Sequence, residues 1–590
     1  MKQSVLILLA IISLFSITGI LKLDAGERRP NFVIVVVDDV SPEQFSCYNK
    51  QAPQTKHLDA LAETGVLFKT AWATPMCSSS RALLTTGRYP FRTGVWHNDL
   101  RINADPSDRY NWTERHKTFA QILREDGYRT VLVGNNMALG GQVGGSVGFD
   151  EFCHRAAGQS SIPEGENFTG LYEGKYNFPD AKPVPSRYWH PCIIENGKLM
   201  PTEADDFGSD IFLDYLVNFM DRNREQPFLA YYPMNLVHDI AGGGVPTMPF
   251  RGKPGSNKGG SLEDLYLYID SAMGRIVDAL EDYGLRDNTI VIFTSDNGDS
   301  KSGMKMHATE NGPRVPFIVS APGLIKARGA TSELLEYSDV LPTLLEFAHT
   351  DLPDNYEIDG KSLFPFLTGR SDSHREWIMS YIATARMART RDYLLEAVDP
   401  IYGTERGRIY RTNGSHLRKD YTDVSDSKDP KVIAARSAFD AILAHNPWPN
   451  RSDPVVQAEL RSYDTMPYQH YLDTGVSIEK RFTQSKERVL ADASSGSGLK
   501  WEKADFVLHK KGAVGELLSA HINWCVEGSK ERALEFSKVS GPDWLSVTQA
   551  EYGRIEGRPQ ANDIGDNVFV FSVSEAGGVP VSTTITIVVE

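Results

Sequence analysis

Two unbroken apolar runs, far apart in the chain, constrain the fold more than any other feature. They cover residues 32–37 and 289–295. Strands that are buried on both faces show no apolar–polar alternation, so both runs predict central strands of a parallel α/β sheet. Each run ends in a pair of polar residues: Asp38 and Asp39 after the first, Asp296 and Asn297 after the second. Ligands of open α/β sheets bind at such carboxyl ends.

The four polar side chains after these runs offer oxygen atoms as metal ligands. Two adjacent aspartates are costly to bury as a bare pair, so a bound cation is their natural partner. Oxygen donors favour Ca²⁺, with Mg²⁺ as the alternative, over zinc, which prefers histidine and cysteine. The other interpretation is that each pair only caps a loop or a helix, as Asp and Asn often do.

Residues 75–90 combine a cysteine with small hydroxyl residues and an arginine. The segment reads PMCSSSRALLTTGRYP, with Cys77 at the start of a helix-like stretch, Arg81 four positions later and Gly87 at the end. Free N–H groups and the helix dipole favour negative charge at a helix start, and the guanidinium of Arg81 adds a permanent positive charge. The segment predicts an anion site. A buried structural cysteine is the alternative.

The same segment resembles the signature of type I sulfatases. In that family a cysteine followed by x-(Pro or Ala)-x-Arg is converted after synthesis to formylglycine, the aldehyde that hydrolyses sulfate esters. Ser79 stands where the family has Pro or Ala. The resemblance implies an α/β fold, the alkaline-phosphatase-like α/β/α sandwich. The metal ligands that it implies are Asp38, Asp39, Cys77, Asp296 and Asn297.

Two further stretches resemble sulfatase motifs. Lys305 precedes Glu310 by five residues, as a lysine precedes the family's Glu-Gly-Gly-x-Arg-Val-Pro turn, and Asn311 replaces one glycine of that turn. By this resemblance Lys305 binds the sulfate and can protonate the leaving alcohol; a solvated surface lysine is the alternative.

His238 resembles the histidine that follows an apolar strand of the family and faces the scissile oxygen. A core histidine whose hydrogen bonds are satisfied within the fold is the alternative.

One expected sulfatase motif is altered. After a strand-like run at residues 130–133 the family usually carries Gly-Lys-Trp-His-Leu-Gly, whose lysine and histidine contact the nucleophile and the sulfate. Here residues 134–141 read GNNMALGG, so Asn135 and Met137 replace both charged groups. Asn135 is a candidate substrate-binding residue that keeps a hydrogen-bond donor without a charge. The candidates to restore the missing charge are His97, Lys301 and His307.

The chain of 590 residues, 41% of them apolar, is long enough for several cores. Apolar runs alternate with helical patterns up to about residue 366, residues 491–498 have a flexible-linker composition, and residues 585–589 alternate with a period of two. The predicted parts are a signal peptide at 1–25, a sulfatase catalytic domain at 26–375, a smaller C-terminal subdomain with a short sheet and a packed helix at 376–490, a linker at 491–498 and a β-sandwich at 499–590. Residues 541–545 and 553–559 resemble the turn and strand pattern of cadherin-like or immunoglobulin-like modules, which implies that the last part is such a module.

Export is predicted from the N-terminus, where residues 5–20 form an apolar stretch followed by a candidate cleavage site after Ala25. The expected location is secreted or periplasmic, without stable membrane insertion after cleavage; an uncleaved anchor is the alternative.

Five cysteines leave one unpaired even if the others form disulfides, which suits a converted Cys77. The formal charge of −15 argues against nucleic-acid binding.

These observations predict a secreted sulfatase acting on sulfate esters of a carbohydrate or an aryl alcohol. In the mechanism that the resemblance implies, hydrated formylglycine 77 attacks sulfur, Lys305 or His238 protonates the departing alcohol, Arg81 orients the modified residue and Ca²⁺ neutralises the sulfate oxygens. The expected partners are a sulfated small molecule or glycan and the formylglycine-maturation enzyme. The alternatives are a phosphomonoester, phosphodiester or phosphonate hydrolase of the same superfamily, and an inactive sulfatase-like binding protein.

Overall fold

The computed structural model describes residues 28–96, 112–135, 147–175, 182–240, 244–249, 259–299, 305, 308–382, 385–398 and 406–446, and, in the C-terminal part, residues 500–501, 504–507, 514–515, 518–522, 526–527, 534–549, 554–575 and 579–590. The predicted signal peptide and linker lie outside these residues. So do four residues named above: His97, Met137, Lys301 and His307.

A ten-stranded mixed sheet forms the centre of the N-terminal part. In chain order its strands are β1 (Asn31–Val37), β2 (Gly65–Trp72), β3 (Arg129–Gly134), β4 (Glu151–Arg155), β5 (Ile193–Glu195), β6 (Lys198–Leu199), β7 (Phe228–Pro233), β8 (Thr289–Ser295), β9 (Arg314–Ser320) and β10 (Gly329–Glu336). Their order across the sheet is β10-β2-β9-β8-β1-β7-β3-β4-β5-β6. Strand β1 lies between β7 and β8 and is parallel to both, with Val37 opposite Ser295. The two predicted central strands are therefore neighbours that end at the same edge.

Helices cover both faces of this sheet. They are α1 (Lys56–Glu63), α2 (Cys77–Thr86), α3 (Pro90–Thr93), α4 (Phe119–Glu125), α5 (Gly208–Arg222), α6 (Leu262–Asp282), α7 (Val340–Ala348) and α8 (Phe364–Leu367). Alternate side chains of β1 enter two different cores: one face packs with residues of α2, α4 and α7, and the other with residues of α1, α5 and α6. The predicted α/β/α sandwich is confirmed.

A second sheet follows, built from five antiparallel strands in sequence order. These strands are β11 (Trp377–Ile382), β12 (Ala385–Thr390), β13 (Tyr393–Val398), β14 (Arg408–Arg411) and β15 (Thr422–Asp423). Helix α9 (Pro430–His445) buries Val432, Phe439 and Leu443 in the same core as residues of β12 and β13. This is the short sheet with a packed helix that the sequence predicts after the catalytic domain.

The C-terminal part contains β-strands with a core of their own. The strands are β16 (Lys500–Trp501), β17 (Asp505–Val507), β18 (Leu518–His521), β19 (Val526–Glu527), β20 (Leu534–Ser540), β21 (Leu545–Gln549), β22 (Arg554–Gly557), β23 (Gly565–Glu575) and β24 (Val581–Val589). In β24 the residues Ile585, Ile587 and Val589 are buried at every second position, as predicted. A separate β region fits an appended module, and its cadherin-like or immunoglobulin-like identity stays a prediction. Among the described helices, none combines the length and the apolarity needed to cross a membrane.

Candidate active site

The carboxyl ends of β1 and β8 bring three aspartates together. The backbone N–H of Asp39 donates to Oδ1 of Asp296 at 3.1 Å. Asp39 has a φ of +63°, a left-handed conformation that is uncommon outside glycine. One ligand atom from each of Asp38, Asp39, Cys77 and Asp296 lies within 4.8 Å of the others. The predicted metal ligands are therefore adjacent in space.

Asn297 completes this cluster. Its Nδ2 donates to Oδ1 of Asp39 at 2.7 Å and to the carbonyl of Gly298 at 2.9 Å, while its buried Oδ1 has no hydrogen-bond partner among the described residues. A buried carboxamide oxygen without a donor next to three carboxylates has the chemistry of a site for a hard divalent cation. The residues present fit a calcium or magnesium ion.

Cys77 is the first residue of helix α2. The preceding residue, Met76, makes no side-chain cap of the helix, and Sγ of Cys77 lies 3.9 Å from Oδ1 of Asp38. Burial, followed by the nearby Asp296, raises the pKa of the Cys77 thiol well above its usual value. An unmodified thiol is therefore held in its neutral, weakly nucleophilic form.

Ser79, the residue that departs from the sulfatase signature, belongs to a buried group of hydroxyls at the start of helix α2. Its Oγ lies 2.6 Å from Oγ1 of Thr74, which also contacts Oγ of Ser80 at 2.9 Å. The same Thr74 hydroxyl contacts the carbonyl of Met76 at 2.9 Å. The hydroxyls at these positions fix the loop that leads into Cys77.

Arg81, one turn after Cys77, holds two of the aspartates. Its Nη2 lies 3.0 Å from Oδ2 of Asp38 and 2.7 Å from Oδ2 of Asp296, and all three side chains are buried. Burial alone would lower the pKa of Arg81, but the two carboxylates raise it well above its usual value. The guanidinium is thus a fixed positive charge within the cluster.

Lys305 contributes a second fixed charge. Its Nζ lies 2.7 Å from Oδ1 of Asp39, and only 13% of its side chain is exposed, which excludes the solvated surface lysine. Burial opposes the charge on both groups, but their mutual attraction raises the pKa of Lys305 well above its usual value and lowers the pKa of Asp39 to about 2. The pair is fully ionised at neutral pH.

The remaining two carboxylates are less well compensated. Burial, opposed by Arg81, raises the pKa of Asp38, and burial together with Asp38 raises the pKa of Asp296 to about 6. Three carboxylates face two cations, Arg81 and Lys305, in this cluster. The excess negative charge is what a bound divalent cation would neutralise.

His238 lies in the loop after β7 and is half-buried near Lys305. Burial, followed by the charge of Lys305, lowers the pKa of His238 to about 3, so its ring is neutral. Its Nδ1 lies 3.3 Å from Nη1 of Arg187, which forms a buried ion pair with Glu173 at 2.9 Å. Sequence reasoning missed Arg187 and Glu173, because they lie in a stretch without a motif.

Asn135 also reaches the cluster, at the end of β3. Its Nδ2 donates to Oδ2 of Asp38 at 3.1 Å, and 7% of the residue is exposed. The structure thus brings Asn135 to the predicted site, with its amide directed at a carboxylate of the cluster. Its role as a substrate-binding residue stays a prediction.

The comparisons with known proteins agree with this arrangement. Residues 30–350 match the sulfatase family model. The chain belongs to the sulfatase family. Its predicted enzyme class, a sulfuric ester hydrolase, is confirmed.

Relatives of this sulfatase have named activities. This chain is 29% identical in sequence to human arylsulfatase A, over 72% of this chain and 81% of the relative. It is 28% identical to an N-acetylgalactosamine-6-O-sulfatase of Bacteroides thetaiotaomicron over 60% of this chain and 79% of the relative. A solved sulfatase structure from Pseudoalteromonas sp. shares the fold with a TM-score of 0.56, at 22% identity over 72% of this chain and 92% of that one.

In this sulfatase, residues in and beside the five-stranded sheet contact the start of the motif that follows Lys305. Glu310, five residues after Lys305, is buried and contacts the guanidinium of Arg389 on β12. The Tyr421 hydroxyl donates to Glu310 at 2.5 Å, and the Glu310 N–H donates to Oε1 of Glu396 on β13 at 2.7 Å. Sequence reasoning found Glu310 through its motif but missed these partners from the second sheet.

Proposed function

We propose that this chain is a secreted sulfatase that hydrolyses sulfate esters of a carbohydrate or an aryl alcohol, with formylglycine made from Cys77 as nucleophile and Ca²⁺ as metal. The observation that carries the proposal is the position of Cys77. It starts a helix, its sulfur lies 3.9 Å from Oδ1 of Asp38, and Arg81 lies one turn later among the same carboxylates. A merely structural cysteine has no need of this surrounding charge.

The carboxylate cluster supports the metal. The residues that would hold it are Asp38, Asp39, Asp296 and Asn297, with the modified residue 77 as a further ligand. Their oxygen donors suit Ca²⁺, with Mg²⁺ as the alternative. A divalent cation bound there would offset the negative charge of the sulfate group.

Three side chains would act directly on the ester. Formylglycine at position 77 supplies, as its hydrate, the hydroxyl that attacks sulfur. Lys305, fixed by Asp39 at 2.7 Å, offers its ammonium group to the sulfate and a proton to the departing oxygen. His238 lies beside Lys305 and is the second group placed to contact the leaving oxygen. Arg81 restrains Asp38 and Asp296, so the metal ligands keep their positions.

The relatives support the proposed substrate class. An arylsulfatase and an N-acetylgalactosamine-6-O-sulfatase are both similar to this chain over most of their length, which supports a sulfated aryl alcohol or sugar as substrate. The apolar residues 5–20 support export to the periplasm or the medium. An exported enzyme is also suited to substrates, such as sulfated glycans, that are too large to enter a cell.

Mass spectrometry of the peptide that contains residue 77 tests the nucleophile. Protein from the native host should carry an aldehyde there that reacts with a hydrazide probe, and Cys77→Ala should lose both the reaction and the turnover of an aryl sulfate. An intact thiol at Cys77 in active native protein would contradict the covalent mechanism.

Calcium titration of Asp296→Ala tests the metal. The variant should lose calcium binding, because one of the converging carboxylates is gone and Arg81 loses its closest partner. Equal calcium occupancy in wild type and Asp296→Ala would contradict the proposed site.

Comparison of an aryl sulfate with the matching aryl phosphate separates the competing functions. The substitution of Asn135 for a cationic family residue favours a weak or inactive protein as the second candidate. Faster turnover of the phosphate indicates a phosphoester hydrolase. Ligand binding without turnover of either ester indicates a binding protein.

A further inference from the structure

The loop that carries His238 is tied to the neighbouring segment around Arg187. The Tyr188 hydroxyl lies 2.7 Å from the carbonyl oxygen of His238 and 3.1 Å from that of Asn235. On the other side, the N–H of Val237 donates to the carbonyl of Asp38 at 2.7 Å. The His238 backbone is therefore fixed between the carboxylate cluster and the segment at 186–188.

Two contacts at Nδ1 of the His238 ring require different protonation states. Nη1 of Arg187 lies 3.3 Å away, and the carbonyl oxygen of Asp239 lies 3.0 Å away. A guanidinium can only donate hydrogen bonds, so its bond requires a lone pair on Nδ1. A carbonyl oxygen can only accept, so its bond requires a proton there. The stronger bond decides the tautomer, and a hydrogen bond from a charged donor is about twice as strong as one between neutral groups.

Arg187 is held firmly. Its Nη2 lies 2.9 Å from Oε2 of Glu173, its Nε lies 3.0 and 3.1 Å from the two carboxylate oxygens, and its backbone N–H donates to Oε1 at 2.8 Å. The two side chains are 1% and 0% exposed. A buried guanidinium fixed in this way stays charged and cannot turn away from the ring.

The charges around the ring also favour one proton over two. Lys305, Arg187 and Arg155 are cations near His238, and Asp39 is the opposing anion. A second proton on the ring would add another positive charge beside these cations, in agreement with the lowered pKa of His238. The neutral ring therefore has one N–H, and the two contacts at Nδ1 decide whether it lies on Nδ1 or on Nε2.

We propose that Arg187, fixed by Glu173, is a positioning residue that keeps Nδ1 of His238 unprotonated, so that the neutral ring presents its N–H at Nε2 to the oxygen of the sulfate ester. The inference rests on the proposed function, because it concerns how that site contacts its substrate. A neutral imidazole donates a hydrogen bond and keeps its proton. The transfer of a proton to the departing oxygen then belongs to Lys305, whose ammonium becomes a neutral amine as the S–O bond breaks.

The tautomer itself can be read without turnover. Protein labelled with ¹⁵N-histidine, compared with His238→Gln for assignment, gives the ¹⁵N shifts of both ring nitrogens. We expect Nδ1 of His238 at the shift of an unprotonated nitrogen and Nε2 at that of a protonated one. In Arg187→Met the carbonyl of Asp239 remains as the Nδ1 partner, so the two assignments should exchange. A protonated Nδ1 in the wild type would overturn the proposal.

Kinetics on aryl sulfates with leaving groups of increasing pKa give the second measurement. For Arg187→Met we expect kcat/KM to fall less than about 10-fold with the best leaving group and about 100-fold with the poorest, because only a poor leaving group needs the donated hydrogen bond. Arg187→Lys keeps a cationic donor and should recover part of the loss. Glu173→Gln should show the same trend as Arg187→Met, with a smaller loss.

Arg286→Met is the matched control. Arg286 is also a buried arginine, but it contacts Ser320 and Thr289, at the amino end of β8. Its replacement should lower activity equally for all leaving groups or leave it unchanged. An equal loss for all leaving groups in Arg187→Met would overturn the proposal. If the wild type turns over no sulfate ester, the proposed function fails, whereas the ring tautomer still decides the role of Arg187.

Discussion

Replacing Arg81 by methionine tests whether the guanidinium and calcium both neutralise the carboxylate cluster. Arg81 lies 3.0 Å from Asp38 and 2.7 Å from Asp296, and 3% of its side chain is exposed. Methionine keeps an unbranched apolar chain and removes the charge. In the metal-free variant, three carboxylates are then opposed by Lys305 alone.

The size of the effect follows from burial. Removing one partner of a buried ion pair costs about 3–5 kcal/mol, because an uncompensated charge stays behind. A domain of about 350 residues has an unfolding entropy of about 0.7 kcal/mol/K, so this loss lowers the melting temperature by about 4–7 °C. Calcium bound at the proposed site would add positive charge to the same carboxylates. It should therefore raise the melting temperature of Arg81→Met by more than that of the wild type.

Thermal unfolding in chelator and in saturating calcium measures both effects, and Arg375→Met is the control. Arg375 lies 2.5 Å from Asp339 and 3.3 Å from Glu336, and 8% of its side chain is exposed. Its loss should destabilise the protein by a similar amount without changing the calcium response. Equal calcium-induced shifts in the melting temperature of Arg81→Met and the wild type would contradict the proposed role of Arg81. So would a fall in the melting temperature of less than about 1 °C for Arg81→Met, which is the effect expected from losing a solvent-exposed ion pair.

Four further changes have defined outcomes. Lys305→Ala should lower kcat/KM for an aryl sulfate by about two orders of magnitude, and Asn135→Lys should raise it, as steady-state kinetics will show. At Asp296 the metal-free folded state binds more protons than the unfolded state between pH 4 and 6, because its pKa is raised from 3.8 to about 6, whereas His238, with a pKa lowered to about 3, acts in the opposite direction. The melting temperature of the metal-free wild type should therefore gain on that of Asp296→Asn as the pH falls from 7 to 4, and calcium should remove that difference in pH dependence. Glu310→Gln should weaken the contact with Arg389 and lower kcat, while calorimetry still finds calcium binding.

The parts of the site that the sequence predicts are those set by local pattern. The apolar run of β1 needs only its own residues to be recognised, and a strand buried on both faces must sit inside a sheet. Cys77 and Arg81 share one helix at a spacing of one turn, so their neighbourhood is visible in the sequence. Gly87 ends that helix with a φ of +66°, as its position in the pattern predicts.

The parts that the sequence did not predict are contacts between distant segments. Arg187 and His238 are 51 residues apart, and Glu310 and Arg389 are 79 apart. Neither separation has a periodic or compositional signal, because such contacts depend on how loops pack after the sheet has formed. The cations that the sequence predicts for this site, His97, Lys301 and His307, lie near recognisable motifs, whereas Arg187 lies in a stretch without one.

The structure also shows why a buried arginine does not replace the charge lost at position 135. Arg187 is paired with Glu173 at 2.9 Å, so the pair adds little net charge to the site. Arg81 is shared between two aspartates, and Lys305 is paired with Asp39. Arg81, Arg187 and Lys305 thus each already face a carboxylate. A divalent cation bound at the proposed site would add the positive charge that a sulfate group needs there, and binding of the substrate would then depend on binding of the metal.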